Sequence, residues 1–83
     1  MKFDSMNFDD YRGRVIAASG KMVGKSSRCY HNVSGNLFSL KDCLVCYIES
    51  GDLDWYEIAE SAISDIFLAT GVSASVDQFL REE

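Results

Sequence analysis

Residues 37–70, LFSLKDCLVCYIESGDLDWYEIAESAISDIFLAT, decide the fold. Trp55, Ile58, Ala62, Ile66 and Ala69 recur at spacings of 3, 4, 4 and 3, the signature of one helical face. Ile63 and Phe67 widen that face. Asp54 stands where an N-cap is wanted, with Glu57 three residues on as an acidic capping box. Leu53 before the cap and Ile58 after it form a hydrophobic staple. Gly71 then supplies the left-handed residue that ends many helices, and Val72 the apolar contact beyond it. The spacing therefore predicts a helix over 55–70.

A second helix is expected just upstream, over 37–49. Leu37, Leu40, Leu44, Tyr47 and Ile48 share one face, with Asp42 and Glu49 opposite. Gly51 stops it, and the short link over 50–53 favours an antiparallel helical hairpin. On the other side, a short helix is expected over 76–81, capped by Ser75 with Gln78 at N3, turning Val76, Phe79 and Leu80 inward. At the N-terminal end Phe8, Tyr11, Val15, Ala18 and Met22 repeat at 3, 4, 3 and 4, with Asn7 as N-cap. That pattern reads as a helix over 8–23, against which Gly13 and Gly20 each weigh about 1 kcal/mol. Residues 25–35, rich in Gly, Ser and Asn, read as a loop.

The expected fold is all-α: a single small domain over 1–83, a bundle of three to four helices around the central hairpin, with 1–6 and 82–83 frayed. The alternative is α+β, with an N-terminal β-hairpin over 12–33 built on a strand at 14–18 and a turn at Ser19-Gly20.

Composition bounds the function. The chain has 83 residues, 47% hydrophobic, with no proline and a net charge of −5. That suffices for one core but not for a TIM barrel or a doubly wound nucleotide-binding sheet. Residues 1–10 lack the apolar run of a signal peptide, and residues 44–48 are far too short a run to span a membrane. Three cysteines, an odd number, fit reduced thiols and a cytoplasmic protein.

Four groups of residues invite chemistry. Residues 19–26, SGKMVGKS, resemble a phosphate-binding loop. Ser19 replaces its first glycine, however, no helix is expected after Ser26, and the chain is too short for the parallel sheet that such a loop serves. Cys29, His31, Cys43 and Cys46 offer four soft ligands for a structural zinc ion. Cys43-Leu-Val-Cys46 nevertheless continues an apolar helix, where thiols serve as small hydrophobes, and His31 with Cys29 lacks the third group that orients a nucleophile pair. The carboxylate pairs Asp9-Asp10 and Asp52-x-Asp54 fall at expected helix starts, where the helix dipole alone accounts for them.

Charge placement is the most informative group. Residues 1–41 sum to +4 and residues 42–83 to −9. Glu57, Glu60 and Asp65 follow Asp52 and Asp54 along the best helix, the three spanning about 12 Å at 1.5 Å per residue. Such an edge can imitate a line of phosphates or dock on a basic groove. The first expectation is thus a non-enzymatic acidic protein that binds and inhibits or modulates a larger protein partner with a basic surface. A nucleic-acid-handling enzyme or complex fits that description, and the profile is that of a small phage or mobile-element inhibitor. Its contact residues are Asp52, Asp54, Glu57, Glu60 and Asp65, with Trp55 and Tyr56 as aromatic anchors. The alternative is a small nucleic-acid-binding regulator using Arg12, Arg14, Lys21, Lys25 and Arg28, with Tyr11 and Tyr30 for stacking. The third is the zinc module; the first two need no cofactor. Attraction between the oppositely charged halves can instead operate within the fold or across a homodimer.

Overall fold

A computed structural model describes residues 1–20 and 27–82, and the side chains of 1–20 and 32–82. In chain order the elements are strand β1 (Lys2–Phe3), helix α1 (Ser5–Gly20), helix α2 (Ser27–Ser50), helix α3 (Leu53–Thr70), a 3-10 turn (Val76–Phe79) and strand β2 (Leu80–Arg81). The fold is a small helical bundle whose central hairpin is α2–α3, as the sequence predicts. The antiparallel β element of the α+β alternative exists, but the two chain ends make it, Lys2 facing Arg81 and Phe3 facing Leu80. Of the range 12–33, residues 12–20 and 27–33 are helical, and residues 21–26 lie outside the described residues.

Two chemical devices set the helix boundaries, and each is used twice. Aspartates cap the starts of α1 and α3. The Asp4 carboxylate accepts from the Asn7 N–H (3.1 Å), and that of Asp52 from the Asp54 N–H (3.0 Å), each satisfying a donor that the helix leaves orphaned. α1 therefore starts at Ser5, upstream of the Asn7 cap read from sequence. Likewise α3 starts at Leu53, capped by Asp52, two residues before the start expected at Trp55. Asp9 and Asp10 fall in the second turn of α1, where Asp10 pairs with Arg14 at 2.8 Å.

The C-terminal ends of α2 and α3 repeat one motif, a hydroxyl residue followed by glycine. Ser50 Oγ donates to the Cys46 carbonyl (2.8 Å) and accepts from the Asp52 N–H (3.2 Å). Thr70 Oγ1 donates to the Ile66 carbonyl (2.7 Å) and accepts from the Val72 N–H (3.2 Å). Gly51 and Gly71, at φ +73° and +79°, return their N–H groups to Tyr47 and Phe67. Each helix thus ends at its glycine, with the carbonyls of Cys46 and Tyr47 in α2, and of Ile66 and Phe67 in α3, satisfied.

Gly35 is a contrasting case. It lies inside α2 at ordinary helical φ, and a Cβ there would meet nothing within 4 Å. Gly35→Ala should raise stability by about 0.5–1 kcal/mol. Gly71→Ala should lower it by about 1 kcal/mol, because its positive φ strains any L side chain. Urea midpoints of the two variants must move in opposite directions.

α2 begins ten residues earlier than the sequence reading, so residues 27–35 are helix and not loop. Val33 explains the extension: it is buried one turn before Leu37 and lengthens the Leu37, Leu40, Leu44 stripe. Tertiary burial there overrides the weak helix propensity of Asn32, Ser34 and Gly35. The face of α3 is also rotated from the expected one. Ala59, Ala62, Ile63 and Ile66 are buried, while Leu53, Ile58 and Phe67 are exposed, so the Leu53–Ile58 staple does not form. Alanines at the α2–α3 contact let the two backbones approach closely.

α1 buries Phe8, Tyr11 and Val15 as expected, then Ser19 rather than Ala18; Met22 lies outside the described residues. The expected C-terminal helix over 76–81 is one 3-10 turn followed by β2. Gln78 Oε1 accepts from the Ser75 N–H (3.2 Å), and Val76 and Phe79 are buried. Phe79 closes the end of the core. Its ring lies 5.6 Å from Phe8, edge-on, and 5.2 Å from Tyr11. Its carbonyl accepts from the Asp4 N–H at 2.8 Å. Asn7 Nδ2 bridges the Asp4 carboxylate (2.9 Å) and the Gln78 carbonyl (3.1 Å), locking the start of α1 to the last turn of the chain.

Candidate interaction surfaces

Helix α3 presents the acidic surface. Asp54, Glu57, Ser61, Ser64 and Leu68, spaced 3, 4, 3 and 4, form the crest opposite its buried side. Ile58 with Asp65 forms one shoulder, and Glu60 with Phe67 the other. All of these residues are exposed, Leu68 at 79%. Asp52, also exposed, sits at the helix start as the cap. Among the described residues, no cation lies within ion-pair distance of Asp54, Glu57, Glu60 or Asp65. α3 itself has four acidic side chains and no basic one. The structure therefore sets Asp54 and Glu57 on the exposed crest with Asp65 and Glu60 on its two shoulders, and interleaves them with Leu68 and with Leu53, Ile58 and Phe67, which the sequence reading assigned to the staple and the buried face.

The two aromatic anchors are placed differently. Trp55 stands at the edge of the buried side, 36% exposed. Tyr56 is half-buried and engaged: its hydroxyl donates to Asp77 Oδ1 (3.2 Å) and its ring meets Tyr47 edge-on at 5.4 Å. Burial, then the Asp77 hydrogen bond and charge, push the Tyr56 hydroxyl above its ordinary pKa.

A second surface lies between α1 and α2. The groove encloses about 330 Å³. Phe8, Val33 and Leu37 form its floor, Ile16 and Phe38 its apolar walls, and Arg12, Lys41 and Asp9 its charged rim. Phe38 is 70% exposed. No sequence signal marks this groove, because it arises from the separation of two helices.

The basic residues do not share a face on α1. Arg12 and Arg14 point about 160° apart around the axis, with 100° per residue. Arg12 is on the groove, while Arg14 pairs with Asp10. Lys21 and Lys25, and the side chains of Arg28 and Tyr30, lie outside the described residues. Tyr11 is fully buried and has no face to offer a base.

The phosphate-loop resemblance falls mostly on residues 21–26, also outside; its first residue, Ser19, is buried in α1. Of the zinc set, Cys43 is buried, Cys46 half-buried, and the side chains of Cys29 and His31 lie outside the described residues. Among the described residues, no three potential metal ligands cluster. Burial, then the Cys46 and Asp42 charges, raise the Cys43 thiol above its ordinary pKa, which suits a packing role more than a nucleophile. Among the described residues, no helix is long and apolar enough to cross a membrane. No family model, curated protein or solved structure matches the chain.

Proposed function

We propose that the chain is a non-enzymatic interaction protein that binds a larger protein partner through the free face of α3. One observation carries this reading: four carboxylates without described cationic partners share that face with four exposed apolar side chains. Carboxylates alone would be a solvated helix surface. Interleaved with Leu53, Ile58, Phe67 and Leu68, they match an interface with apolar anchors and a charged surround. The complementary partner surface is basic with apolar contacts, as on the nucleic-acid groove of an enzyme or complex. Occupying such a groove would inhibit or modulate its owner, the role of small inhibitors encoded by phages and mobile elements. The reading places the chain in the cytoplasm, with Cys43 and Cys46 reduced.

The test is capture of partners by the tagged chain from lysate with and without nuclease treatment, at low and moderate salt. A salt-sensitive protein should be retained by the wild type. Glu57→Lys/Glu60→Lys should bind it about tenfold more weakly or worse, because each rim charge steers association and opposes like charge. Equal capture by the reversed variant at both salt concentrations removes α3 as the site. Recovery of nucleic acid alone, lost after nuclease, removes the protein-partner reading itself.

A further inference from the structure

The groove between α1 and α2 and the crest of α3 are complementary. The groove is apolar between exposed Ile16 and Phe38, with Arg12 and Lys41 on its rim. Among its described lining residues Asp9 is the one acid. Among the described residues, neither Arg12 nor Lys41 has an ion-pair partner. The crest is acidic at its Glu57 end, with Glu60 and Ile58 flanking, carries the small Ser61 and Ser64 along its middle and ends on apolar Leu68. Lengths agree as well: Phe8 to Ser19 along the groove and Glu57 to Leu68 along the crest each rise about 16 Å.

We infer that the groove receives the α3 crest of a second copy of this chain. The helix lies along the α1–α2 cleft: Glu57 and Glu60 approach Arg12 and Lys41, Ile58 between them meets the neighbouring Phe38, and Leu68, about 12 Å beyond Glu60, lies past Ile16 towards the Ser19 end. Each copy carries both surfaces, so the contact is head-to-tail and either closes into a ring or extends. The association is weak, because the contact is one helix wide and two chains of net charge −5 repel at a distance. While it holds, the α3 face is covered. This inference uses the surface of the proposed function but needs no foreign partner.

Sedimentation of the protein alone, from about 10 µM to about 1 mM, tests it. The weight-average mass of the wild type should rise above 9.3 kDa with concentration. Arg12→Glu/Lys41→Glu places acid against acid and should stay monomeric. Glu57→Lys/Glu60→Lys places base against base and should also stay monomeric. Mixed in equal amounts, the two variants restore opposite charges at every contact and should associate again. Phe38→Ser should weaken the wild-type association at unchanged charge. All these positions are exposed, and far-ultraviolet circular dichroism verifies the fold of each variant. A wild type that stays at 9.3 kDa, association unmoved by either charge reversal, or no recovery on mixing overturns the inference. Lysate capture reads the partner proposal separately, so either can fail alone.

Discussion

Phe79→Ala should remove most of the stability of the domain. Truncating a buried phenylalanine costs about 3–5 kcal/mol, and an 83-residue domain holds in total only about 4–12 kcal/mol. Phe79 is fully buried, and its ring meets both Phe8 and Tyr11. Its backbone carbonyl holds the Asp4 N–H at the start of α1. Collapse of the neighbours into the vacated space would disturb the β1–β2 pair, so the cavity is poorly healed. The expected result is a urea midpoint displaced by half or more, with helical circular dichroism reduced even without denaturant. Phe38→Ala on the exposed groove wall should change stability by less than about 0.5 kcal/mol. A loss below about 1 kcal/mol at Phe79 would show that the last turn does not close the core.

The second large effect is alkaline. Tyr11 is fully buried, and its hydroxyl has no hydrogen-bond partner among the described atoms. Burial pushes that hydroxyl up to about 12 from its ordinary 10.0. Below pH 10 it is protonated in both folded and unfolded chains, and titration does not enter. Above pH 10 the unfolded chain ionises while the folded one keeps its proton, so stability falls as pH rises towards 12. Two pH units at 1.36 kcal/mol each amount to a loss of about 2–3 kcal/mol.

Tyr11→Phe removes this term and also removes a buried polar group that lacks a partner. The variant should be about 1 kcal/mol more stable than the wild type at pH 8. That advantage should widen by about 2 kcal/mol near pH 12. Urea titrations of both proteins at the two pH values measure it, and ionisation common to both, including that of Tyr56, cancels in the difference. An advantage that does not grow with pH would mean that the Tyr11 hydroxyl reaches water.

The hairpin of α2 and α3 was legible because local chemistry and periodicity agree there. Gly51 and Gly71 mark both helix ends, and both adopt the left-handed conformation for which glycine is suited. The errors have a common cause. Ile58 outranks Ala59 in hydrophobicity, yet Ala59 is buried and Ile58 exposed, since close helix packing selects for size as well as for polarity. Asp52 and Asp54 are chemically equivalent caps, and nothing local chooses between them. Val33, isolated among polar residues, gained meaning only once Leu37 and Leu40 had fixed the buried side of α2. The acids of α3 were visible as a charge run. Their apolar companions were misplaced with the rotated face, and the α1–α2 groove, a product of tertiary separation, left no trace in periodicity.

The pairing of Lys2 with Arg81 has a topological consequence. Facing residues of an antiparallel pair lie about 5 Å apart, in a molecule 42 Å long. The domain is therefore entered and left at a single point. A host protein could accommodate it within one surface loop without separating the loop's own ends, and a few residues would suffice to close it into a circle.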